Sequence, residues 1–125
     1  MRTLKSKDLF AALRVVKEID VKEEVLRISS ALKDGSIDAA DPDELKKEVG
    51  LELLLGILGN CGTEKGEKAV FDFLAGPLEK PAPDLRETDL LELMEMIKKM
   101  IEMNDGEKWK AFFTSLSTLI RKFIS

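Results

Sequence analysis

A chain of 125 residues that is 44% apolar and 35% charged can bury one core but not two, and is too apolar to remain disordered. With no histidine and one cysteine, Cys61, it can close no internal disulfide and lacks the usual nitrogen and sulfur donors of a zinc site. The net charge of −4 is unevenly spread: Met1 to Ile19 carries five basic and two acidic residues, Gly106 to Ser125 four and one, and Asp20 to Asp105 eleven and twenty-one. An acidic middle argues against nucleic acid, which needs concentrated Lys and Arg, while basic ends facing acidic middles favour association between copies. No uncharged apolar run is long enough to span a bilayer, and the basic Met1 to Lys7 leads into no signal-peptide core, so an intracellular protein without membrane contact is expected.

The first helix is expected to start at Ser6 as N-cap, with Asp8 near the positive end of the dipole and Leu9, Phe10, Leu13, Val16 and Ile19 as its buried stripe. Asp20 is positioned to cap a second helix, Val21 to about Lys33, with Val21, Val25, Ile28 and Leu32 at spacings of three and four. Gly35 ends it. Asp41-Pro42-Asp43-Glu44 carries the strongest start signal, an Asp cap followed by Pro in the first turn. A third helix should run from there to about Leu58 along Leu45, Val49, Leu53, Leu54, Ile57 and Leu58. Its Gly50 and Gly56 mark close packing against a neighbour. Leu51 to Leu58 is the most apolar stretch in the chain.

Asn60-Cys61-Gly62-Thr63 reads as a turn, and Thr63 caps a fourth helix through about Ala75, with Val70, Phe71, Phe73 and Leu74 at its apolar end. Gly76-Pro77 should stop that helix. Gly76 to Glu87, with Pro77, Pro81 and Pro83, then reads as an extended surface arm. A helix from Thr88 to Met103, a break at Asn104-Asp105-Gly106, and a final helix form a hairpin. In the final helix Trp109, Phe112, Phe113, Leu116, Leu119, Ile120, Phe123 and Ile124 fall on one stripe, and Lys110, Ser117, Arg121 and Lys122 on the opposite face. Period-two alternation is absent, so strands are not expected. The fold class is all-α: a single domain, 1–125, forming a compact orthogonal bundle of about six short helices that ends in a helical hairpin.

No nucleophile, base and electrophile set emerges from the pattern, so catalytic residues, cofactors and metal ligands are all read as none. Gly56, Gly59 and Gly62 lack the strand and the Lys-Ser/Thr end of a phosphate loop. The helix before the break is apolar over more than half its circumference through Met94, Met96, Met100 and Met103 with Leu90, Leu91, Leu93, Ile97 and Ile101. Part of that surface suits a groove for varied helices, since Met is adaptable. Trp109, Phe112 and Phe113 are core aromatics or, where exposed, anchors for a partner.

Three stretches together resemble a known family. They are Leu4-Lys5-Ser6-Lys7-Asp8-Leu9-Phe10-Ala11-Ala12-Leu13-Arg14-Val15-Val16-Lys17, Phe71-Asp72-Phe73-Leu74-Ala75-Gly76-Pro77, and the acidic Leu-rich helix with Asn104-Asp105 and then Lys110-Ala111-Phe112-Phe113. In these the chain is similar to the tail assembly chaperones of siphovirus-type bacteriophages and their prophages. The spacer Gly106-Glu107-Lys108-Trp109 departs from that pattern, in which a shorter, Leu-containing spacer is expected. The resemblance implies a small all-helical protein without enzymatic activity, acting in the cytoplasm of the bacterial host. It would bind the long helical tape measure protein, keep it soluble and help recruit the major tail protein. It also implies self-association and a longer form made by ribosomal frameshifting. The alternative reading is a small helical regulatory or DNA-binding protein of a mobile element.

Overall fold

The computed structural model describes residues 1–60 and 62–124, without the Leu58 side chain. The expected turn residue Cys61 and the stripe position of Leu58 therefore lie outside the described residues. Among those described there are seven helices and no strand. They are α1 (Ser6–Glu18), α2 (Lys22–Asp34), α3, α4 (Glu64–Leu78), α5 (Ala82–Arg86), α6 (Leu90–Met103) and α7 (Gly106–Phe123). Helix α3 has three consecutive pieces: Pro42–Leu45, a π-helical stretch Lys46–Glu52, and Leu53–Asn60. The chain is all-α.

Helix α1 lies along α4 and α7, α7 also covers α2, and α6 leans on α4 and on the π-helical piece of α3. Ile28, Leu32, Ile101, Trp109, Phe113 and Ile120 are among the side chains that close the core.

Where local chemistry sets a helix start, the expected caps are present: Asp41 Oδ1 accepts from the Asp43 and Glu44 amides, and Thr63 Oγ1 from Gly66. Asp105, read only as part of a break, also caps its helix, its Oδ1 accepting from Lys108. Gly35 ends α2 at φ 85°, in the left-handed region. Two starts differ. Helix α1 is capped at Lys5 instead of Ser6, because Asp8 turns back and its Oδ2 accepts from the Lys5 amide at 2.7 Å. Helix α2 starts after Val21 without a side-chain cap; Val21 is buried, which fixes the entry in place of Asp20.

The buried face of α1 also differs from the expected stripe. Asp8, Ala11, Ala12, Val15 and Val16 are buried, followed by Ile19, while Leu9 and Leu13 are half-buried and Phe10 is 56% exposed. Two alanines let α4 approach closely, and the bulkier side chains are displaced to the flanks. On α7, Ser117 is buried and not on an outer face, because α7 is covered by α1 and α2 together. Its Oγ has no hydrogen-bond partner among the described residues.

The expected stop at Gly76-Pro77 does not occur. Helix α4 continues to Leu78 and turns off at Glu79, the left-handed residue at φ 55°. Burying Leu78 stabilises by about 1.5–3 kcal/mol, which offsets much of the roughly 3 kcal/mol that a proline costs inside a helix. The Pro77 carbonyl in turn accepts from the Arg2 amide at 2.8 Å. Nor is 76–87 an extended arm: it holds the end of α4 and the short helix α5, anchored by buried Leu85.

Gly50 packs closely as expected, since a Cβ there would lie 2.8 Å from Ile101 Cδ1. Gly56 is in ordinary contact only, 3.6 Å from Glu24 Cγ.

Candidate functional site: an apolar cleft

The most apolar piece of the chain has none of its described side chains buried. Of Leu53–Asn60, Leu53, Leu54 and Ile57 are half-buried and Leu55 is exposed. Such a segment normally forms the centre of a core. Here it leans on α2 and leaves its apolar side open towards α4 and α7.

The result is an apolar cleft of about 100 Å³. Leu54 and Ile57 stand on one wall, Val70 and Phe73 of α4 on the other, and Phe112 of α7 between them. The floor includes Trp109, Phe113 and Leu116. Phe112 is the hub of an aromatic cluster. Its ring centroid lies 6.4 Å from Phe73, 6.0 Å from Trp109 and 5.9 Å from Phe113, the last two edge-on. Edge-to-face pairs of this kind hold ring orientation and add about 0.5–1.5 kcal/mol beyond burial. Trp109 is fixed further, since Nε1–H donates to the Ile101 carbonyl at 3.0 Å.

The three residues nominated from sequence therefore meet at one place but in different roles. Trp109 and Phe113 are 2% exposed and form the floor, whereas Phe112 is half-buried and reaches the cleft surface. Leu54, Ile57, Val70 and Phe73 were not nominated; the high apolarity of Leu51 to Leu58 could have pointed to the first two, and nothing local marks Val70 and Phe73.

Helix α6 divides its broad apolar surface. Ile97, Met100 and Ile101 are buried, Leu93, Met94 and Met96 half-buried, and Leu90, Leu91 and Met103 exposed.

No charged residue is among the described residues that line the cleft. Lys46 of α3 is paired with Glu102 of α6, and that hydrogen bond lifts its ammonium above the ordinary 10.5. Far from the cleft, Arg2 is raised by its hydrogen bond to Asp8, and Asp34 is lowered by the hydroxyl and amide of Ser36. What the cleft offers chemically is apolar surface with aromatic faces, suited to holding another apolar side chain. Among the described residues no group of His, Cys, Asp or Glu could hold a metal ion, and no helix is long and apolar enough to cross a membrane. In comparisons with known proteins, no family model, no curated protein and no solved structure matches the chain.

Proposed function

We propose that this protein is a phage tail assembly chaperone, as the resemblance of its sequence suggests, and that it works by taking apolar side chains of the tape measure protein into the cleft beside Leu53–Asn60. The observation that carries the reading is the open apolar cleft lined by Leu54, Ile57, Val70, Phe73 and Phe112, with no charged residue among its described lining. A long amphipathic rod exposes an apolar stripe that aggregates unless covered, and helix-in-groove contacts cover it. A cleft of about 100 Å³ has room for a side chain and not for a helix about 10–12 Å across, so the rod lies over its mouth and inserts an apolar side chain. Each Leu-sized side chain withdrawn from water stabilises by about 1.5–3 kcal/mol. Coated in this way in the host cytoplasm, the rod stays soluble until the major tail protein is recruited around it.

The test is co-expression with the long helical protein encoded downstream, scoring how much of it remains soluble and whether the two co-purify. Wild type should keep the rod in solution, and Ile57→Asp should not, while retaining its own helical circular dichroism. An equally insoluble rod with or without wild type, and no complex, would sink the reading.

A further inference from the structure

A second apolar groove adjoins the cleft and shares Leu54 with it, between the π-helical piece of α3 and α6. It encloses about 200 Å³ and is lined by Leu51, Leu54 and Met94 together with Lys46, Lys47 and Lys98. Lys46 is paired with Glu102 and Lys98 with Glu95 at 3.3 Å, while Lys47 has no ion-pair partner among the described residues. The Lys98 pair is exposed enough to exchange partners at little cost.

One helical turn before Met94, the same α6 presents the reverse of this surface. Leu91 is 71% exposed and Leu90 57%, more than any apolar residue nearby. They are flanked by exposed Glu87, Asp89 and Glu92, none of which makes an ion pair among the described residues. One face of the molecule thus carries both an apolar tip edged by unpaired acids and an apolar groove edged by lysines. Leu91, Met94 and Lys98 are three and four apart, so the tip and the groove share one side of α6. A patch made of two complementary halves is the requirement for an isologous contact about a two-fold axis.

We infer that a second copy of this chain docks here. The α6 helices of the two copies run antiparallel about an axis beside Met94, and each Leu90-Leu91 tip enters the other copy's groove, with its acids meeting Lys47 and Lys98. Charge complementarity sets the register and the leucines supply the apolar area. The pairing needs this chain alone and leaves Ile57, Phe73 and Phe112 uncovered, so an assay of the isolated chain reads it without the rod.

The experiment is sedimentation equilibrium of the purified chain alone. Wild type should show a concentration-dependent monomer and dimer. Leu91→Ser should weaken the dimer about tenfold or more, as loss of a central apolar anchor does. Two charge variants, Lys47→Glu with Lys98→Glu and Glu87→Lys with Glu92→Lys, should each be monomeric alone and form a heterodimer when mixed, since mixing restores opposite signs at both contacts. All five substituted positions are exposed, and unchanged thermal unfolding of each monomer checks the fold. A wild type that stays monomeric to its solubility limit, a dimer indifferent to these substitutions, or charge variants that do not pair on mixing would each overturn the inference.

Discussion

Arg2 grips Asp8 with both guanidinium nitrogens, Nη1 to Oδ2 at 2.7 Å and Nη2 to Oδ1 at 2.9 Å, directly over Gly76 of α4. The Asp8 side chain is 3% exposed and also accepts from the Lys5 amide. A paired carboxylate buried this far is costly to disturb from either side, because removal of one partner strands the other.

Asp8→Ala is accordingly expected to destabilise by about 3–5 kcal/mol, read as a lower urea midpoint at unchanged slope. Gly76→Ala acts through the same pair. A Cβ at Gly76 would lie 2.7 Å from both Arg2 Nη2 and Asp8 Oδ1, so the pair must shift, at a cost of about 1–3 kcal/mol. With Asp8→Ala already present, Arg2 is free to swing away, and Gly76→Ala should become neutral or stabilising by up to about 1 kcal/mol, the ordinary helix preference. A double-mutant cycle measures this coupling, and strict additivity would contradict the arrangement.

Phe112 and Phe113 are neighbours in sequence with different duties. Phe113→Ala, at the buried floor, should cost about 3–5 kcal/mol of stability. Phe112→Ala should cost only about 1–2 kcal/mol, because its ring is already half in water, yet should lose most capture of the rod in the co-expression assay. Equal stability losses would remove the distinction between floor and surface.

The Lys46 contact with Glu102 ties α3 to α6, and its pH dependence has a definite sign. The folded-state pKa is raised above 10.5, so the stabilisation is fully present below that value and is lost as pH rises through the folded pKa. The stability difference between wild type and Lys46→Gln, followed by denaturant titration, should be constant below that region and shrink above it. A difference that widens with alkali would show that the contact is not held by the ammonium charge.

What could be read from sequence depended on how local the controlling chemistry was. Asp41 and Thr63 could be recognised as caps because a cap is a bond to an amide two or three residues on. The buried face of α1 was misjudged because Ala11, Ala12 and a carboxylate at Asp8 carry little apolar signal; that face is set by α4 and by Arg2. Pro77 was taken as a stop since the forces that carry the helix past it, burial of Leu78 and the Arg2 amide on its carbonyl, come from elsewhere in the fold. The cleft followed the same logic in reverse. Leu51 to Leu58 is as apolar as a core helix, and only the tertiary arrangement leaves one side of it uncovered.

The first residues of the chain make their bonds with some of its later ones: the Arg2 amide with the Pro77 carbonyl, and the Leu4 amide with Asn104 Oδ1 at 3.1 Å. Those two bonds close loops of about 75 and 100 residues, whose entropy must be lost before either forms. The segment therefore docks late in folding, after the helices that carry Pro77 and Asn104 are in place. A substitution that weakens the docking should accordingly speed unfolding more than it slows folding.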